Sequence, residues 1–451
     1  MSGDDLFGRT ALEQATLVQN GEVSSEELVR LHLERIERLN PRLNAFVSVF
    51  HPVAAARAKD AQRRRSRDTL PRFHGVPIGI KDLNVVRWTV TRWGSRAVPH
   101  IPLPMDDYTV ASLRRAGFVI VGKLATAEFG AMPVTEPDVH PPTRNPWSLA
   151  HSAGGSSGGS GAAVAAALLP VAQGSDGAGS LRIPAAFCHL FTIKPSRGRV
   201  RNQFGLSDDR ILYTSGPITR SVDDAAAMLD AMAVPDRSFL DEARARPRRM
   251  RIKFVRRTPL CDTHPEIREA LLRAVALLAQ LGHDVEEGTL PDATVEEFLP
   301  LWQHQVAWTP FVRWNRTQPI TRWLGEAGRR LRIEDVALLH DTLKARFTSA
   351  LALADIWVTP TVPLPPPLIG AFASMSPPDG FAAAARLGAF TAVANVTGHP
   401  AASIPMGLTS DGLPMGMQLV GSPSGEGDVL ALSHELEEAM PWRPRRPPRL
   451  D

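Results

Sequence analysis

Two glycine-serine tracts separated by an apolar run constrain the fold of this chain more than any other feature. The stretch Gly154 to Ser180 reads GGSSGGSGAAVAAALLPVAQGSDGAGS. Between solvated segments such a composition makes a flexible linker. Here both flanks are apolar: Ala162 to Leu169 reads as a buried helix ended by Pro170, Val171 to Gly174 as a short strand, and Leu181 to Cys188 as apolar again. A glycine-rich turn wedged between buried segments must itself be ordered, because backbone carried into the interior has to satisfy its polar groups. The stretch therefore holds several hydroxyls at fixed positions on an unusually free backbone.

The chemistry those hydroxyls serve is narrowed by what is missing. There is no G-x-x-x-x-G-K-[ST] loop and no GxGxxG on a strand-to-helix turn, which disfavours a phosphate cradle. Gly154 to Gly158 does satisfy G-x-S-x-G, the nucleophile elbow of serine hydrolases, which requires a preceding strand and then an acid and a histidine downstream. Pro146-Trp147-Ser148-Leu149-Ala150 makes a poor strand there, so an ordinary triad on Ser156 is the weaker alternative. A serine nucleophile needs a base and donors for the oxyanion. Gly177, Ala178 and Gly179 can turn successive N–H groups toward one spot directly before Ser180. The base need not be histidine, since a neutral lysine in a dry site can act through a second hydroxyl. Ser156 and Lys81 are suitable parts.

Lysine is scarce enough for each one to be informative: Lys59, Lys81, Lys123, Lys194, Lys253 and Lys344 are the only six among 51 basic residues. Nucleotide composition accounts for such a bias toward arginine. Yet arginine keeps its proton, whereas a desolvated lysine can release it. In Phe73 to Leu83, Val76, Ile78 and Ile80 alternate with small residues as in a strand, and that strand ends on Lys81-Asp82. A surface lysine beside an aspartate is an equal reading of this stretch alone.

The rest of the chain supplies the frame. Ser24-Ser25-Glu26-Glu27 caps an amphipathic helix carrying Val29, Leu33 and Ile36 and ending near Asn40-Pro41; a second helix covers Val53 to Arg65. Helix Tyr108 to Ala116, the stop at Gly117 and strand Phe118 to Val121 form an αβ unit. Glu128 to Ala153, rich in proline, reads as loop. Strands follow at Arg251 to Val255, near Val285 and at Ile356 to Pro360, with helices at Val222 to Met232 and from Pro265 toward Gly282. Apolar strands alternating with helices indicate an α/β layer fold. Phe298, Trp302, Trp308, Phe311, Trp314 and Trp323 crowd residues 297–345, either as helical core or as an aromatic-lined substrate pocket. A proline-rich loop covers Pro363 to Gly380. No repeat or composition break marks a linker, so residues 1–442 are expected to form one domain and the Pro- and Arg-rich tail 443–451 to lack order.

Composition removes several classes of function. With 43% hydrophobic residues the 451-residue chain can bury a large core, and a net charge of +4 in mixed sign leaves no nucleic-acid footprint. The acidic, polar start MSGDDLFGRT is no secretory signal, and no run reaches the ~18 apolar residues of a membrane span, which points to a cytoplasmic protein. Cys188 and Cys261 alone cannot build a disulfide framework, and the 13 histidines show no ligand spacing, so neither a metal nor another cofactor is expected.

GGSSGGSGAAVAA followed by GSDGAGSLRIPAAFC resembles the amidase signature family, and Gly75 to Asp82, GVPIGIKD, is similar to the strand that bears its catalytic lysine. Further family-like segments are Asn40 to Phe46, Thr143 to Trp147, Gly216 to Ser221, and Asn395 to Ala401 through Gly412 to Gly416; only residues 290–390 are unmatched. The resemblance implies one large domain on a mixed twisted sheet covered by helices on both faces. It also implies Ser180 as the acylated nucleophile, Ser156 as a bridging serine behind a cis peptide bond, and Lys81 as the base. The N–H groups of Gly177, Ala178, Gly179 and Ser180 would form the oxyanion hole, with Asp176 and Arg182 supporting the loop. Ala178 stands where the family often has glycine, which narrows the acyl position, and His189 and Thr192 interrupt a stretch usually built of smaller residues. The implied activity is hydrolysis of a small hydrophobic aryl or acyl amide, linear or cyclic, by a stand-alone enzyme or homodimer. The alternatives are a glutaminase like the A subunit of glutamyl-tRNA amidotransferase, which would need a polar pocket, and a silent scaffold, which the intact serines and lysine disfavour.

Overall fold

The computed structural model describes residues 3–64, 70–201, 210–310 and 312–450. Arg65, Phe311 and Asp451, each part of an expected element, lie outside the described residues. The strands are β1 (Phe46–Val49), β2 (Pro77–Lys81), β3 (Val119–Leu124), β4 (Arg144–Asn145), β5 (Ser148–Ser152), β6 (Val171–Asp176), β7 (Phe191–Lys194), β8 (Thr214–Thr219), β9 (Arg251–Phe254), β10 (Asp284–Glu287), β11 (Ile356–Pro360), β12 (Ala401–Leu408) and β13 (Pro414–Gly421). Eleven of them form one mixed sheet in the order β1-β3-β2-β6-β8-β7-β12-β13-β11-β9-β10, while β4 and β5 make a separate ribbon.

β2 runs parallel to both β3 and β6, with Ile78 opposite Val171 and Gly79 opposite Ala172. Every residue of β2 is buried, which is why it reads as a nearly continuous apolar run. Both strands end on a charged residue, Lys81 and Asp176, at the same rim. The carboxyl ends of neighbouring parallel strands are where α/β sheets collect their ligands.

Helices cover both faces. On one, the helix Ser25–Leu43, capped by Ser24 Oγ accepting from Glu27 N–H at 3.0 Å, buries Val29, Leu33 and Ile36 against the helix Gly158–Ala165 and its neighbours. A cap of this kind contributes about 1 kcal/mol. On the other face, Val222–Met232 and Glu426–Ala439 pack with Phe191, Ile193 and Ile404 in the larger core. No helix among the described residues is long and apolar enough to cross a membrane.

Three local expectations are corrected. Ser148–Ser152 is a strand, paired with Arg144–Asn145 around Pro146-Trp147, so it closes a local ribbon and does not lead into an elbow at Ser156. The buried helix starts inside the first glycine-serine tract, at Gly158, and stops at Ala165. Its first turn is glycine-rich because the backbones touch: a Cβ on Gly159 would sit 2.3 Å from Ala125 N. Within the loop expected at Pro363 to Gly380, Ser376 and Pro377 open a helix, Pro377–Ala385. Just before the tail, Trp442 is buried and donates Nε1–H to Arg220 O at 3.0 Å; the described tail residues form no helix or strand and are mostly exposed, with Arg443 pairing with Glu13 at 3.5 Å and Arg446 donating to Gly8 O at 3.2 Å.

Candidate active site

β2 delivers Lys81 to the rim fully buried, so it is not a surface lysine. Its Nζ lies 2.7 Å from Ser156 Oγ, 3.1 Å from Ser175 Oγ and 3.3 Å from Ser175 O. The adjacent Asp82 turns away and pairs with Lys123 at 2.8 Å. Burial without a paired carboxylate pushes the Lys81 ammonium down to about 7, the charge of Asp176 opposing the shift. Lys81 is held from behind as well, its backbone N–H donating to Gln173 Oε1 at 3.0 Å and Gln173 Nε2 donating in turn to Asn84 Oδ1 at 3.0 Å.

The two glycine-serine tracts are fastened to each other beside this lysine. The Gly155–Ser156 peptide is cis. Ser157 N–H donates to Ser180 O at 3.3 Å, and Ser157 Oγ donates to Ser175 O at 3.1 Å. Ser156 and Ser180, 2% and 7% exposed, open into one cavity together with Ser175 and Gly177. A hydroxyl that touches an amine whose proton burial loosens, and a second hydroxyl facing the same cavity, are the parts of a proton relay.

Asp176 organises the turn that leads to Ser180. Arg182 grips it through Nε at 2.9 Å and Nη2 at 2.8 Å, a two-pronged pair with no solvent. Burial alone would raise the carboxyl; the charge and hydrogen bonds of Arg182, with Lys194 and Asn395, hold it well below its ordinary value. Asn395 Nδ2 donates to Asp176 O at 3.0 Å and Oδ1 at 2.9 Å, and Arg182 Nη1 reaches Thr391 O at 2.9 Å and Gln418 Oε1 at 2.5 Å. One expected oxyanion donor is thereby taken: Gly179 N–H donates to Asp176 Oδ1 at 2.7 Å. Among the described residues no acceptor is paired with the N–H groups of Gly177, Ala178 or Ser180, which stand where the turn faces the cavity.

The cavity has two chambers, of about 110 Å³ and about 660 Å³, and Ser180, Gly130 and Trp302 line both. The smaller is walled by Ile183, Phe298, Leu343, Phe347 and Phe381; the larger holds Ser156, Ser175, Tyr213, His304 and His340. Trp302 comes from the helix Val295–Ala307 and is fixed by Nε1–H donating to Ala131 O at 3.0 Å. Its ring lies so close to the nucleophile turn that a Cβ on Gly177 would come within 3.1 Å of it. The aromatic cluster thus divides: Phe298 lines the smaller chamber, Trp302 both, and Trp308, 66% exposed, the larger. Trp323 packs on Phe381, and Trp314 against Gly325.

Sequence reasoning did not single out Ser175, Gln173, Thr391, Asn395 or Gln418. Ser175 lies inside the tract and its spacing from Asp176 is a legible signal. Asn395 stands 219 residues from Asp176 and has no local pattern that announces the contact.

The arrangement has known relatives. The amidase family model matches residues 27–311 and 315–430, and so corrects the expectation that residues 290–390 fall outside the family match. AmiB2 of Mycobacterium tuberculosis, provisionally named an amidase, is 37% identical over 465 residues, which span 99% of each chain. The structure of a 6-aminohexanoate cyclic dimer hydrolase complexed with substrate superposes with a TM-score of 0.89 at 30% identity, over 99% of this chain and 100% of that one. A bacterial aryl acylamidase of the amidase signature enzymes superposes with a TM-score of 0.86 at 25% identity, over 96% of both chains. With its fold, its buried lysine beside two serines and its sequence all of one kind, this chain belongs to the amidase signature family of amide hydrolases.

Proposed function

We propose that this amidase hydrolyses a small uncharged amide with an apolar acyl or aryl part, through a covalent ester on Ser180. The observation that carries the reading is Lys81 Nζ, 2.7 Å from Ser156 Oγ and with its ammonium pushed down to about 7, in a cavity that Ser180 also lines. Neutral Lys81 takes the Ser156 proton as Ser156 takes the Ser180 proton, and Ser180 Oγ attacks the carbonyl carbon. The C–O bond forms, the carbonyl π pair moves to oxygen, and the N–H groups of Gly177, Ala178 and Ser180 meet the negative charge. Collapse breaks the C–N bond while the relay returns its proton to the leaving nitrogen. Water repeats the sequence on the ester, releasing the acid and restoring the Ser180 hydroxyl.

The apolar chamber favours this over a glutaminase. Its charged lining side chain, Glu297, is already paired with Arg346 at 3.0 Å, and no cation lines that chamber for the carboxylate of glutamine. Burying an unpaired charge is prohibitive. Intact-mass analysis after mixing with p-nitrophenyl butyrate is expected to show one butyryl group on Ser180, absent in Ser180→Ala and slowed in Ser156→Ala. Acylation that survives in Ser180→Ala but disappears in Ser156→Ala would move the nucleophile to Ser156 and end the proposal.

A further inference from the structure

We infer that Trp302 splits the substrate, confining the acyl substituent to the smaller chamber and the amine to the larger, and so sets the size of acyl group the enzyme accepts. This rests on the acyl-enzyme reading above and adds a direction to it. The leaving nitrogen must receive its proton from Ser156, and Ser156 lines the larger chamber while absent from the smaller. The oxyanion must face the turn N–H groups at the boundary of the two chambers, where Gly177 lines only the larger and Ala178, whose methyl replaces a hydrogen, only the smaller. With nitrogen and oxygen assigned, the remaining substituent on the carbonyl carbon points past Ala178 and Ile183 into the apolar space.

The two volumes then state a specificity. A dry apolar cavity of ~150 Å³ accepts a benzene ring, so about 110 Å³ limits the acyl part to a short chain smaller than that ring, of fewer than about six carbons. The larger chamber, about 660 Å³ with hydroxyl, phenol and imidazole groups on its walls, imposes no such limit on the amine. A cyclic amide, whose acyl and amine ends belong to one ring, has to pass the shared wall, and Trp302 stands in its way. The predicted class is therefore a linear amide of a short apolar acid with a larger, more polar amine.

The test uses p-nitrophenyl esters from acetate to decanoate and a matched series of butyryl amides of increasing amine size, on the full chain. In the wild type, acylation of Ser180 is expected to fall by about tenfold or more from about six acyl carbons upward, the scale of discrimination a closed apolar wall provides. Trp302→Ala and, independently, Ala178→Gly are expected to carry the limit to longer acyl groups and leave the dependence on amine size unchanged. Trp302→Phe, which keeps a ring wall, is expected to hold the wild-type limit. If Ser180 is acylated but the limit stays put in both widened variants, or the amine series shifts instead, the division is wrong and the acyl-enzyme reading survives. If no ester acylates Ser180, the acyl-enzyme reading itself fails.

Discussion

Lys81 and Lys123 stand on adjacent parallel strands, β2 and β3, where Ile80 lies opposite Lys123 and Lys81 opposite Leu124. Both are fully buried. Lys123 meets a carboxylate, Asp82 at 2.8 Å, and a hydroxyl, Thr91 Oγ1 at 3.0 Å. Lys81 meets hydroxyls and a carbonyl. The residue type and burial are the same, and the partner decides: a carboxylate makes an ion pair that holds strands together, while hydroxyls leave a proton that burial drives off. Lys194 adds a control. Burial and the charge of Arg182 push it too down to about 7, yet its Nζ donates to Pro195 O at 2.9 Å and it lines neither chamber. A lowered pKa becomes a base only where substrate can reach the relay.

The contrast can be broken in three places. Lys81→Ala removes the base and is expected to lower kcat/KM by about 10²–10⁴-fold, with little change in urea unfolding. In the wild type kcat/KM should climb about tenfold per unit of pH up to about 7 and level off above it, since only the neutral amine accepts the proton. A flat profile between pH 5 and 9 would remove Lys81 from the mechanism. Lys123→Ala should instead cost about 3–5 kcal/mol of stability, because Asp82 is left buried and charged without its cation. Most of that loss should return in the Lys123→Met, Asp82→Asn double variant; equal urea midpoints for single and double variants would show that the pair carries no structural load. The smallest effect belongs to Ser175→Ala. Its Oγ, 3.1 Å from Lys81 Nζ, stabilises the ammonium, so its loss should move the acid limb of the profile to lower pH and change kcat by about two- to tenfold, the range of a single hydrogen bond. A limb displaced upward would contradict the contact.

The Asp176–Arg182 pair followed only from the family resemblance, whereas the two glycine-serine tracts and Lys81 at the end of an apolar strand were readable because the pattern is local. Element positions such as Val222–Met232 and Ile356–Pro360 were legible for the same reason, through periodicity. Three things were not. The diversion of Gly179 N–H to Asp176 depends on the φ of one turn residue, +125°, which composition does not encode. The start of the helix at Gly158 was hidden because propensity argues against glycine in a first turn and close backbone contact overrides it. The division of labour among the tryptophans depends on which helix face meets the nucleophile, and Trp302 and Trp308 share one helix and its cap.

The clamp formed by Thr391, Asn395 and Gln418 on Arg182 and Asp176 has a consequence for shortened forms of the chain. All three residues proposed to carry the reaction lie in the first 180 positions, but the carboxylate and guanidinium beside them are completed by side chains from positions 391–418. A chain cut before Thr391 holds Lys81, Ser156 and Ser180 in sequence but lacks the partners that shape the turn, which come from more than 200 residues further along.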